Sequence, residues 1–347
     1  MSQYPRRPSK SSMLSSMSPL SRRALCRGLA LAPAMPAILS LTGGASAQAK
    51  YPERPIRIIV PFGAGGVADI STRIVAEKLG DKLGQRFIIE NVPGPGGIAA
   101  ARQASVGGPD GHTLILVTNG TAISVPLFKA LPFDPLKDFT PVSGMGNFDC
   151  VFVVNAKSKF QTLADVIKFA KDNPGKLNLG TIAVGSTQHL SAAYFKGAAN
   201  LDVLIIPYKG TPEATVALLR DDIDLMIEFP AALKGGLSDK TLRPIAATGP
   251  VSSKMLPGTP TVAEAGVPSY EVTSWNSIWA PAGVSKDVVA LLNKTMHEVV
   301  AEKEVQAKLL DLGIDAKAST PEDAETRMRN DIEKWRKVID AAGIERK

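Results

Sequence analysis

Short apolar runs alternate with amphipathic stretches along most of this chain. Residues 56–60, Ile-Arg-Ile-Ile-Val, form a β-branched run that Pro61 ends, which predicts a strand. A glycine-rich stretch follows, and then Ile70, Ile74, Val75, Leu79 and Leu83 recur on one side of a predicted helix. The alternation continues with a strand at 87–90, a helix at 99–104 and strands at 113–117 and 151–154. An amphipathic helix at 163–171 stops before Asn173-Pro174-Gly175. It then restarts: strand 178–181, helix 189–197, strand 203–206, helix 213–219, and strands 224–227 and 242–247. Residues 270–280 read as an extended, Trp-containing return segment. Two long helical patterns close the chain, 286–312 with an interruption and 321–342. Alternating β and α elements with short turns define the α/β class, with mainly parallel sheets flanked by helices.

The first 49 residues depart from this pattern. They hold Arg6, Arg7, Lys10, Arg22, Arg23 and Arg27, no acidic residue, and an apolar run at 28–41 before the small residues that end at Ala47 and Ala49. A basic start, a short apolar run and overlapping A-x-A sites describe a cleaved signal peptide, and Arg22-Arg23 leaves the general secretory and twin-arginine routes both open. We therefore expect an exported protein. The leader also accounts for the charge. Of 40 basic residues six lie in it, leaving 34 against 33 acidic ones, so the formal +7 of the whole chain carries no argument for nucleic acid. Cys26 departs with the leader, and Cys150 alone cannot form an intramolecular disulfide; it reads as a small buried residue.

Two turns carry the chemistry. In the loop 61–69, with Phe62-Gly63-Ala64-Gly65-Gly66, and the loop 181–189, with Gly185-Ser186 before Thr187-Gln188-His189, a strand delivers a glycine-rich turn to the start of a helix. Such turns expose backbone N–H groups at the positive end of a helix dipole, which makes an anion pocket without lysine or arginine. Gly185 is expected to take positive φ or to let a ligand approach, so a branched residue there would block the ligand and leave the core untouched. A rival reading is a nucleotide-dependent oxidoreductase. Residues 63–68 match G-x-G-x-x-A, and Glu90 ends the next strand where a ribose-binding carboxylate would sit. Against it, Pro61 interrupts the strand and Asp69 would meet a pyrophosphate with like charge. His112, His189 and His297 lack the spacing of a metal site, and no G-x-S-x-G elbow occurs. Trp275 and Trp279 read as core or interdomain anchors. No metal, cofactor or nucleic acid is expected.

The residues also carry a resemblance. Tyr51-Pro52-Glu53-Arg54-Pro55-Ile56-Arg57, the turn at 61–66 with Asp69 and Arg73, Glu90-Asn91, Pro93-Gly94-Pro95-Gly96-Gly97 and Leu131-Pro132-Phe133-Asp134-Pro135 resemble the tripartite tricarboxylate transporter receptors, the Bug family of periplasmic binding proteins. The likeness resumes at Gly185-Ser186 with His189-Leu190, Pro207-Tyr208-Lys209-Gly210, residues 260–266, Ser274-Trp275-Asn276 and Ala280-Pro281-Ala282-Gly283. It implies a two-lobed Venus-flytrap fold, a receptor rather than an enzyme, and a monomer that gives a small carboxylate to membrane subunits of a transporter; service in sensing, without a transporter, is the other alternative. With the second β/α series, it places residues 50–149 and 277–347 in lobe 1 and 150–276 in lobe 2. By carry-over, Phe62, Ala64, Gly65, Gly66 and Asp69 face the ligand with Gly185, Ser186 and His189, while Thr118, Asn119, Thr121, Tyr208, Gly210 and Thr211 line the rest. The chain departs from the family at 119–125, which lacks an Asn-Pro pair, and at 180–183, which is less Ser/Gly-rich; both fall at the implied cleft.

Overall fold

The computed structural model describes residues 51–251 and 255–347. The leader and its cleavage sites lie outside the described residues. The elements run in order β1 (Ile56–Val60), α1 (Val67–Leu83), β2 (Phe87–Asn91), α2 (Ile98–Val106), β3 (Thr113–Thr118), α3 (Asn119–Leu127), α4 (Pro135–Asp138), β4 (Phe139–Asp149), β5 (Val151–Asn155), α5 (Leu163–Asp172), β6 (Leu177–Thr181) and α6 (Thr187–Ala198). After these come β7 (Val203–Pro207), α7 (Thr211–Leu219), β8 (Leu225–Glu228), α8 (Lys234–Ser238), β9 (Leu242–Ala247), β10 (Thr273–Pro281), α9 (Lys286–Val300), α10 (Lys303–Leu310), β11 (Asp315–Ala316) and α11 (Pro321–Ala341). Helix starts are signalled locally: side-chain oxygens of Thr162, Ser285 and Thr320 accept the N–H groups of Asp165, Val288 and Asp323.

Among the described residues the strands form two sheets, ordered β11-β4-β10-β3-β1-β2 and β7-β6-β8-β5-β9. The expected α/β two-sheet class holds, but the sheets are mixed rather than mainly parallel. β1 pairs parallel with β2 and β3, and β6 with β7 and β8, while β4, β10 and β11 pair antiparallel, as do β5 with β8 and β9. The reason is topological. The chain leaves the first sheet at Asp149, enters the second at Val151 and rejoins the first along β10, so the strands that cross between sheets run against the β/α series.

One apolar cluster joins the two sheets. Ile59, Ile115 and Val117 from the first share it with Phe152, Leu179 and Leu225 from the second, and Met328, Trp335 and Ile339 of α11 fill the space between. Burying each such side chain contributes about 1.5–3 kcal/mol. Trp279 and Trp275 are buried core residues, and Trp275 Nε1 donates to Asp331 Oδ2 on α11 at 2.6 Å. Cys150 is buried too, and burial pushes its thiol well above the usual value.

Candidate ligand-binding site

The turn before α1 is braced from within. Gly65 sits at φ +85° and Gly66 caps the helix without a side-chain bond. Asp69, 2% exposed, reaches back: its Oδ2 accepts the Gly65 N–H at 2.8 Å, and its Oδ1 accepts Asn91 Nδ2 at 2.9 Å and Arg73 Nε at 3.0 Å. Asn91 Nδ2 also donates to the Phe62 carbonyl at 3.0 Å. Burial works to raise the Asp69 carboxyl, but these hydrogen bonds outweigh it and hold it below the ordinary value. Asp69 therefore shapes the turn from beneath. Phe62 and residues 63–66 are exposed, and the N–H groups that open a helix have no partner within it. Glu90, the candidate ribose ligand, accepts from Arg57 Nε and Nη2, each at 2.6 Å, and from Gln103 Nε2 at 2.7 Å.

The first turn meets α3, a helix the sequence pattern did not disclose. Thr118 Oγ1 accepts the Gly120 N–H at 3.1 Å and Thr121 Oγ1 accepts the Thr118 N–H at 3.2 Å, a reciprocal cap that starts the helix directly from β3. A Cβ on Gly120 would lie 4.0 Å from the tip of the Phe62 ring. Asn119, fully buried, accepts Trp335 Nε1 at 2.8 Å and donates to Thr187 Oγ1, the first residue of α6, at 3.1 Å. Thr118, Asn119 and Thr121 thus spend their polar groups inside the protein. What they accomplish is positional: the start of α3 is tied to the first residue of α6 and lies near the Phe62 ring of the turn before α1.

The second turn is braced from outside. Gly185 holds φ +89°, as expected, yet a Cβ there would come within 2.6 Å of Leu127 Cδ2 on α3. The expectation that a branched residue at 185 leaves the core untouched fails, because this glycine is packed against the other sheet's helix. Ser186 Oγ caps α6 through the His189 N–H at 3.1 Å, and Lys347 Nζ donates to the Val184 carbonyl at 3.1 Å. Burial, then the nearby Lys347 charge, lowers the His189 pKa.

Beside it, the Tyr208 N–H donates to Thr181 O at 2.8 Å, tying the turn before α7 to the end of β6. Gly210 is the extended cap residue of α7, and Thr211 Oγ1 donates to Glu228 Oε2 at 2.5 Å. Gln188 Nε2 donates to Glu228 Oε1, also at 2.5 Å. Sequence reasoning placed Thr187 and Gln188 in the second loop without a role and missed Glu228. The available signal was a carboxylate finishing the apolar strand Leu225-Met226-Ile227. Two surface grooves, of about 470 Å³ beside α1 and β2 and about 360 Å³ beside β4, β10 and α11, include none of these turns.

Two α/β sheets deliver glycine turns to helix starts, an arrangement suited to holding an anion. The chain belongs to the family described as "Tripartite tricarboxylate transporter family receptor", whose pattern matches residues 71–344. Protein BugT of Bordetella pertussis is 31% identical over 299 residues, covering 86% of this chain and 92% of that protein. Among solved structures, Rhodopseudomonas palustris Rpa4515 with adipate is 33% identical with a TM-score of 0.75, covering 85% of this chain and 99% of that one. MatC from the same species, with bound malate, is 28% identical with a TM-score of 0.69, covering 83% and 100%. The family is one of receptors, not enzymes, which overturns the oxidoreductase alternative. The physical reason is visible in the first turn, where the Gly65 amide and the Glu90 carboxylate are both engaged within the protein.

Proposed function

We propose that this chain is a periplasmic receptor that captures a small carboxylate between its two lobes and delivers it to the membrane subunits of a tripartite tricarboxylate-type transporter. The lobes are residues 50–149 with 277–347 and residues 150–276, the return falling within β10. One observation carries the reading: the Asn119–Thr187 hydrogen bond ties the starts of α3 and α6 together, with the Phe62 turn before α1 near Gly120. Each helix start carries roughly half a positive charge, so an anion among them is stabilised without a basic side chain. Phe62, Ala64, Gly65, Gly66, Gly185, Ser186 and His189 meet the ligand, Tyr208, Gly210 and Thr211 close its side, and Asp69, Thr118, Asn119 and Thr121 hold the frame. Di- or tricarboxylates, acidic amino acids and aromatic acids suit this chemistry, and adipate and malate in the two neighbours support the first class.

The test is calorimetric titration of the leader-free chain with adipate, malate, citrate, glutamate and benzoate, together with mass spectrometry of any acid retained on purification. One acid is expected to bind at a single site with a Kd near 1 µM or tighter, at least about 8 kcal/mol. Chelator dialysis should leave that affinity unchanged, and NAD or NADP should not raise Tm. A Tm that climbs with nucleotide concentration while no acid binds contradicts the reading.

A further inference from the structure

Glu228 ends β8 and is 1% exposed, and its two oxygens have different surroundings. Oε1 accepts two N–H donors, Gln188 Nε2 at 2.5 Å and the Phe229 backbone at 2.7 Å. The Phe229 N–H cannot reverse, and the Gln188 amide reverses only by flipping its oxygen into the place of its nitrogen. Among the described residues Oε2 has one hydrogen-bond partner, the Thr211 hydroxyl at 2.5 Å. A hydroxyl both donates and accepts, so a proton placed on Oε2 fits the same arrangement with one hydrogen bond turned around. The Thr211 hydrogen is then free. Thr211 is half-buried and is the first residue of α7, in the turn assigned above to the side of the ligand site.

We propose that Glu228 takes up one proton from solvent as an anionic ligand binds, and that the released Thr211 hydroxyl donates its hydrogen bond to the ligand's carboxylate. This rests on the receptor reading and on the place of the 208–211 turn within it. Three features support it. Burial raises the Glu228 carboxyl above its ordinary value against the pull of its three hydrogen bonds. A second negative charge brought close raises it further. Among the described residues no lysine or arginine hydrogen-bonds the carboxylate; the Cys150 thiol ahead of β5 couples to Glu228, and the helices that carry its side-chain partners, α6 and α7, hold His189 and Glu213 in their first turns. The Cys150 thiol is held neutral by burial, so it does not compete for the proton.

The experiment measures proton uptake by the intact wild-type chain on binding adipate or malate, by calorimetry in two buffers of different ionisation enthalpy. At about pH 7.5 both probes are fully ionised, so the uptake belongs to the protein. An uptake above zero and at most one proton per ligand is expected, with affinity falling as pH rises above the ordinary carboxylate range, by at most about tenfold per unit. Glu228→Gln places an N–H donor where the protonated Oε2 would be. It is expected to bind without proton uptake and with affinity that stays flat toward high pH. Binding to wild type with no proton uptake overturns the proposal while leaving the receptor reading intact, and this holds even where Glu228→Gln fails to fold. Wild type that binds neither probe nor any acid of the panel overturns both.

Discussion

The two glycine turns look alike in sequence and are held in opposite ways. The turn before α1 is built by its own lobe: Asp69 and Asn91 bond its backbone, and the Cβ positions of Gly63 and Gly65 have nothing within 4 Å. The turn before α6 is shaped by its neighbours, with Leu127 against Gly185, Asn119 on Thr187 and Lys347 on Val184. The first turn is therefore held by local contacts, and the second by contacts from the sheet across from it.

The comparison is most sharply broken at the glycines. Gly185→Ala adds left-handed strain and a 2.6 Å approach to Leu127, an expected loss of about 2–4 kcal/mol. Gly65→Ala meets the same strain in open space and is expected to cost about 1 kcal/mol. Denaturant unfolding measures both, and equal losses would erase the distinction between the turns.

Asp69→Ala leaves the Gly65 amide, Asn91 and Arg73 without their acceptor, an expected loss of about 2–3 kcal/mol. Because the folded carboxyl titrates below its unfolded value, this stability is present above the ordinary carboxylate range and fades as pH falls through about 4 and below. Wild type and variant should therefore converge in acid. A constant gap across pH would show that Asp69 acts through packing instead.

A smaller effect tests the tie between the sheets. Asn119→Ala and Thr187→Val, singly and together, should show a coupling of about 1 kcal/mol from the shared hydrogen bond. Additive losses would mean that the two helix starts are placed independently.

Most β/α units were legible because their apolar spacing and caps are local. Residues 163–172 and 321–341 became helices near the expected bounds, each with a threonine cap. The elements that escaped depend on distant partners. Residues 119–127 contain Gly120 and Pro126 and little helical periodicity; the Thr118–Thr121 cap and burial of Ile123 and Leu127 make the helix. Strand β4 carries Pro141, Gly144 and Gly146, and its pairing with β10 and β11 shapes it more than propensity does. In the site, glycine turns announce themselves, but the side chains that set them do not. Whether Asn119 faces a ligand or Thr187 is decided by a contact 68 residues away.

The central claim, that one carboxylate is shared by both turns, is tested most directly by amide NMR of the leader-free chain during titration with the acid that binds most tightly in the calorimetric panel. The amides of residues 62–66 and 185–189 should shift together, in a single titration with a common midpoint. Shifts confined to one turn, or absent from both while heat reports binding, would place the ligand elsewhere.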